Sequence, residues 1–66
     1  MDKYLIYISS LECYGFVYDF DNENYRTTWI PHKAIGYRVR SDAEKAIEIL
    51  KRQRPVFEFH IMLVHI

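Results

Sequence analysis

The residues that could bind a metal ion are few in this chain of 66 residues. Zinc would draw its ligands from three histidines and the only cysteine, which are His32, His60, His65 and Cys13. His60 and His65 point to opposite faces if they lie on one strand, because side chains alternate along a strand. A lone cysteine excludes an internal disulfide and a paired-thiolate site, and it fits a reducing, cytoplasmic location. We therefore expect no metal and no cofactor.

Catalysis would need a nucleophile beside a base, or two carboxylates in contrasting environments. Cys13 and His32 are a thiol and an imidazole, but no local signature surrounds either of them. A domain this small also has little room for a small-molecule pocket. The sequence predicts a protein that is not an enzyme and has no catalytic residue.

Asp19, Asp21 and Glu23 alternate around a polar turn, a pattern that could suggest a divalent cation. A calcium loop of the EF-hand type needs further oxygen ligands, a glycine at its sixth position and a glutamate at its twelfth. None of these follows in the sequence. We interpret the three carboxylates as solvated turn residues, with Asp19 paired to Arg26 across the turn.

Basic residues near the helix offer an alternative function, the binding of nucleic acid. Their charges would contact phosphates while aromatic rings stack on bases, and the residues concerned are Arg38, Arg40, Lys51, Arg52 and Arg54. Against this, nine basic and nine acidic residues cancel, and the glycine-rich and zinc signatures of common nucleic-acid modules are missing. Lys51 and Arg52 also offset the helix dipole, and Glu48 can pair with Arg52.

The helix that carries these charges has two apparent ends. Ser41 followed by Glu44 predicts a capping box at its start. An apolar stripe follows at helical spacing, and Pro55 prevents the helix from continuing. The stripe consists of Ala43, Ala46, Ile47 and Leu50.

Strand-like segments surround the helix at residues 4–8, 14–20, 25–30, 35–40 and 56–66. Residues 14–20 and 25–30 form a hairpin in our prediction, with four pairs: Phe20 opposite Tyr25, Asp19 opposite Arg26, Tyr18 opposite Thr27, and Phe16 opposite Trp29. A helix of about twelve residues is about 18 Å long and can return the chain so that the strand after it runs parallel to the strand before it. We expect one α+β domain over residues 1–66, with two layers: one helix packed on a mixed, mainly antiparallel sheet, in the order β-β-β-β-α-β.

One helix leaves the second face of such a sheet open, and we expect this face or the hairpin tip to bind a partner. Tryptophan and tyrosine dominate binding hot spots, which directs attention to Trp29 and Tyr25 beside the acidic turn. The predicted partner-binding residues are Tyr25, Trp29, Asp21 and Glu23 at the tip, and Arg38, Arg40, Glu58, His60 and Met62 on the open face. A second copy of the chain could also cover this face.

In its small size, its single domain and the helix-strand ending of residues 37–63, the chain resembles small accessory proteins of phages and mobile elements, including anti-CRISPR and other anti-defence proteins. The resemblance implies a binding protein without chemistry that occludes a surface of a host protein complex, and it carries over no functional residue. We expect no membrane partner, because the apolar run near the amino terminus has about five residues where a bilayer span needs about 20.

Overall fold

The computed structural model describes residues 1–10 and 14–65. It contains four strands and one α-helix: β1 (Asp2–Ser9), β2 (Tyr14–Phe20), β3 (Tyr25–Thr28), α1 (Arg40–Gln53) and β4 (Glu58–His65), with a 3-10 turn at Pro31–Lys33. The strands form one sheet in the order β3-β2-β1-β4, and each neighbouring pair is antiparallel. The predicted class, a small α+β domain with one helix, is confirmed. Cys13 lies outside the described residues.

Alternation along β1 separates the two faces of the sheet. Ile6 and Ile8 face α1 and form the core with the helix stripe and one residue of β2, namely Ala43, Ala46, Leu50 and Val17. Leu5 is also fully buried, but it lies on the opposite face because side chains alternate. Complete burial of one such side chain stabilises a fold by about 1.5–3 kcal/mol.

The hairpin register is as predicted near the turn and differs further away. Phe20 lies opposite Tyr25 and Asp19 opposite Arg26, as the sequence predicts. A bulge between Val17 and Asp19 then leaves Tyr18 as an extra residue, so Val17 lies opposite Thr27 and Phe16 opposite Thr28. The predicted pairs of Tyr18 with Thr27 and Phe16 with Trp29 are therefore wrong.

The bulge also changes which residues share a face. Val17 packs under the helix, as do Phe20 and Tyr25 beyond the bulge. Phe16 lies on the other face, where its ring contacts Tyr7. A regular strand would have kept Phe16 and Phe20 on one side, and the extra residue moves Phe20 into the core.

Gly15 occupies a backbone conformation that side chains rarely adopt, with φ of 130°. A Cβ atom at this position would lie 3.0 Å from the carbonyl oxygen of Thr28 and 3.3 Å from Cβ of Thr27. The absence of a side chain thus allows the end of β3 to approach β2 closely.

Replacing Gly15 with alanine should destabilise the fold by about 1–3 kcal/mol, because it adds backbone strain and a contact with a carbonyl that has little freedom to move. Urea unfolding followed by circular dichroism measures the change. Gly36→Ala is the matched control, since its added Cβ would meet only the flexible side chain of Lys3. Equal stability of Gly15→Ala and the native protein would contradict the prediction.

The predicted strand over residues 35–40 is reduced to a single bridge. Pro31 begins the 3-10 turn, after which the Ile35 amide donates to the Val17 carbonyl and Tyr37 exchanges two hydrogen bonds with Tyr4, at 2.8 and 2.9 Å. Burial first, and the Asp42 carboxylate second, raise the pKa of the Tyr37 phenol. The bridge and β4 are both antiparallel to β1, so they run in the same direction, as predicted, with β1 between them.

The capping box is also wrong. The helix begins at Arg40, its N-cap is Val39, and no side chain caps it. Ser41 is therefore already inside the first turn, where its hydroxyl is not at the capping position. Asp42 supplies the negative charge that favours this end of the helix.

The other end of the helix agrees with the prediction. It stops at Gln53, where the Arg54 amide still donates to the Leu50 carbonyl, and Pro55 follows. Within the described residues, no helix combines the length and apolar character needed to cross a bilayer.

Candidate functional site

The face of the sheet opposite α1, called the open face below, carries a row of rings. Tyr7 lies opposite Phe16 on one side and opposite His60 on the other. The Tyr7 ring centroid is 5.3 Å from that of Phe16, in an edge-to-face contact, and 6.5 Å from that of His60. Phe16 is buried, Tyr7 is half-buried and His60 is exposed, so the row runs from a packed centre to an exposed end.

Trp29 extends this row beyond the end of β3. Its indole stacks on the Tyr14 ring with centroids 6.1 Å apart, and 68% of Trp29 remains exposed to solvent. Tyr14 belongs to the open face because it lies opposite Ser9, which is two residues from Tyr7 on β1 and therefore on the same face. We call Trp29, Tyr14, Phe16, Tyr7 and His60 the aromatic row.

The sequence predicted Trp29 as a binding residue but did not single out Tyr14 or Tyr7. The alternation of Tyr14 with Phe16 was visible in the sequence, but the bulge that separates both of them from Phe20 was not. Without the bulge, all the aromatic residues of β2 would share one face, and nothing would distinguish the exposed rings from the core.

Three predicted open-face residues lie on that face. Glu58, His60 and Met62 alternate along β4 with the residues that pack under the helix. The Glu58 carboxylate is 3.8 Å from Nε2 of His60, and Met62 is opposite Leu5 with 42% of its surface exposed. The exposed end of the aromatic row therefore combines a carboxylate, an imidazole and a thioether.

The predicted arginines are elsewhere. Arg40 is the first residue of α1 and Arg38 lies in the bend before it, so neither is on the open face. The predicted strand does not continue to Arg38 and Arg40, because the chain leaves the sheet immediately after the bridge at Tyr37.

The remaining predicted cations lie at the opposite end of the helix. Lys51 and Arg52 are in its last turn and Arg54 is its C-cap. At 1.5 Å per residue, Arg40 and Arg52 are about 18 Å apart along the axis. The five basic residues thus form two groups in the helix layer and do not join the rings of the open face.

The two predicted ion pairs are not formed in the described part of the chain. Its close contacts between a histidine ring and a carboxylate are His60 with Glu58, at 3.8 Å, and His65 with Asp2, at 2.8 Å. Glu48 and Arg52 do not form an ion pair. Asp19 and Arg26 are opposite each other in the register, but their charged atoms are not within bonding distance of each other.

Asp21 organises the hairpin tip. One of its carboxylate oxygens accepts hydrogen bonds from the amides of Glu23 and Asn24, at 2.7 and 2.8 Å. The Asp21 amide donates to the Asn24 carbonyl at 2.9 Å. The two amide donors lower the pKa of the Asp21 carboxyl, since they stabilise its charged form. Asp21 is therefore primarily a turn residue, while Glu23 is exposed beside it.

The tip is also attached to the end of the helix. The Gln53 amide group donates to the Asp21 carbonyl at 2.6 Å, and the Arg54 guanidinium lies 5.8 Å from the centre of the Tyr25 ring. Tyr25 makes an edge-to-face contact with Phe57, with centroids 6.4 Å apart, and packs against the core. Tyr25 thus connects the hairpin to the helix layer, in contrast to the exposed Trp29.

An open groove of about 310 Å³ lies beside the tip. It is lined by Asp19, Phe20, Asp21, Asn24, Tyr25 and Arg26. Charges of both signs line it, and one Asp21 oxygen is already occupied by the turn. Among the described residues, no three histidine, cysteine, aspartate or glutamate side chains converge as metal ligands would.

Comparison with known proteins identified no relative of this chain. The chain matches no protein-family model, no curated protein and no solved structure.

The lowered pKa of Asp21 gives a prediction about acid stability. The Asp21 carboxylate stabilises the fold above its ordinary pKa of 3.8, and this contribution is lost as the pH falls through the lower folded-state value. Asp21→Asn keeps an oxygen acceptor for the turn but removes the titration. The stability difference between the native protein and Asp21→Asn should therefore be smaller at pH 3 or below than at pH 7.

Urea unfolding at the two pH values measures this difference. Glu23→Gln is the matched control, because it removes the same charge from the same turn without touching the two hydrogen bonds to Asp21. A difference that stays constant with pH for Asp21→Asn, or one that changes equally for Glu23→Gln, would contradict the assignment.

Proposed function

We propose that this chain is a non-enzymatic protein-binding module that contacts its partner through the aromatic row of the open face. The observation that carries the proposal is the Trp29–Tyr14 stack, because a large indole is 68% exposed while a second ring holds it at the end of the sheet. Exposed tryptophan and tyrosine are the residues that contribute most to protein interfaces. A ring held in place also loses little conformational freedom on binding.

The position of the charges supports a protein partner over a nucleic acid. The open face carries charges of both signs, with Lys3 and Arg26 accompanied by Asp19 and Glu58. Nucleic-acid affinity depends on the number of phosphates that basic residues neutralise. The basic groups at the ends of α1 lie in the other layer, so they would neutralise few phosphates of a single-stranded nucleic acid whose bases stack on the aromatic row.

The residues that we propose for the partner contact differ from those expected at the hairpin tip. Tyr25 packs between Phe57 and Arg54, and Asp21 is bonded within its own turn. The proposal therefore centres on Trp29 and Tyr14, with His60, Glu58 and Met62 at the far end of the row. The partner class that we propose is a protein complex of a host cell, occluded at its surface as the anti-defence resemblance implies.

Replacing Trp29 with alanine should weaken partner binding by about 30-fold or more, as expected for an interface hot spot of at least about 2 kcal/mol. The change should leave folding nearly intact because most of the side chain is exposed. Affinity capture from lysate of the native host, quantified by mass spectrometry against the native protein, measures the loss. Val56→Ala is the matched control. Val56 is also an exposed apolar residue, at 87%, but it lies before β4 and does not belong to the aromatic row.

Tyr25→Ala should act on the stability of the fold, whereas Trp29→Ala should act on partner binding. It should lower the free energy of unfolding by about 2 kcal/mol or more, because Tyr25 is partly buried against Phe57.

Partner capture that is unchanged by Trp29→Ala would overturn the proposed binding surface. Salt-dependent binding of a labelled single-stranded oligonucleotide, lost when Lys51, Arg52 and Arg54 are replaced, would instead support the nucleic-acid alternative.

A further inference from the structure

The two edges of the sheet differ in length and chemistry. β3 has four residues, includes Arg26 and is followed by Pro31, features that discourage further strand pairing. β4 has eight residues, contains no proline, lysine or arginine, and pairs with β1 along its whole length without a register shift. β4 is therefore a regular edge strand without the usual protection.

The direction of the β4 backbone groups follows from the bridge on the far side of β1. Tyr4 directs both its amide and its carbonyl to Tyr37, so it cannot bond to Leu63, which lies opposite it on β4. Bonded and non-bonded pairs alternate along an antiparallel ladder. Phe59, Ile61, Leu63 and His65 therefore direct their amides and carbonyls away from β1. In the part of the chain that the structure describes, no turn or loop bonds to these groups.

The side chains beside this edge are mainly apolar. Leu63 is 56% exposed on the helix side, and Met62 is 42% exposed on the open face. Glu58 at the start of the strand is its only carboxylate. Unpaired backbone groups beside exposed apolar side chains are what an added strand requires.

We propose that β4 pairs with β4 of a second copy of the chain, antiparallel about a two-fold axis at Met62, so that one sheet runs through both protomers. The faces of the sheet stay continuous only if paired residues lie on the same side of it. An even-numbered residue of β4 must therefore pair with an even-numbered residue of the other copy, and an odd-numbered residue with an odd-numbered one. An axis at Met62 pairs Ile61 with Leu63 and Phe59 with His65 of the other copy. All four outward-directed residues of each strand then find backbone partners.

The strand's own sequence favours a copy of itself as the occupant. In this register the exposed Leu63 packs against Ile61 and the exposed Met62 packs against Met62, while Glu58 lies outside the paired residues 59–65. No like charges face each other, and the two strands match in length by symmetry. Trp29, on which the proposed function depends, follows β3 at the other end of the strand order, so Trp29→Ala tests that function without altering the β4 edge, whereas Glu58, His60 and Met62 lie on β4 itself.

Disulfide trapping tests the register. In a Cys13→Ser background, Met62→Cys places two thiols directly opposite each other at a non-bonded pair, where Cβ atoms are about 4.5–5.5 Å apart and a disulfide can form. His60→Cys is the matched control, because His60 faces Val64 of the other copy and lies about 13 Å along the strand from its own counterpart. Mild oxidation should give a covalent dimer of Met62→Cys and not of His60→Cys, and the Cys13→Ser protein, which has no thiol, should give none.

Light scattering after size exclusion tests the assembly. The native protein should elute with twice its mass of 8.0 kDa, and Leu63→Lys, a charge on an exposed edge residue, should be monomeric with an unchanged circular dichroism spectrum. Trp29→Ala should remain dimeric, which separates this result from the proposed function. A monomeric native protein, or crosslinking of His60→Cys as efficient as that of Met62→Cys, would overturn the proposal.

Discussion

The structure depends on β1, which bonds to neighbours on both sides. One side of this strand pairs with all eight residues of β4, while the other pairs with the end of β2 and, through Tyr4, with Tyr37. Its side chains are buried on both faces, with Ile6 and Ile8 under the helix and Leu5 on the opposite side. A single strand thus holds together the hairpin, the segment before the helix and the edge strand.

The two faces of β1 also explain why the protein has a packed side and an open side. α1 is one helix of fourteen residues, and its apolar stripe meets β1 and β4 but cannot cover both faces of the sheet. The rings that remain outside contact one another instead, as Tyr7 contacts Phe16 edge to face and Trp29 stacks on Tyr14. The open face therefore exists because a single helix covers only one side of the sheet.

The sequence predicts those parts of the fold that short-range chemistry determines. The helix end at Pro55, the apolar stripe and the hairpin pairs next to the turn depend on neighbours in the chain, and the structure confirms them. The bulge at Tyr18 depends on how β2 fits between β3 and the core, which no local pattern reveals. For the same reason, residues 35–40 have strand-like alternation but find only one residue of β1 to pair with. Trp29 was selected from its residue type, whereas its support by Tyr14 required the register.

The distance along the chain between β1 and β4 has a consequence for folding. Ser9 and Glu58 are paired, but 48 residues separate them, and the pairing extends outward from there to Asp2 and His65. Closing so large a loop costs conformational entropy before any contact is gained, and folds dominated by such contacts form slowly. During synthesis, the apolar β1 strand cannot pair with β4, its longest neighbour, until nearly the whole of the described chain has been made. We expect the nascent protein to expose this strand to chaperones for longer than its small size would suggest.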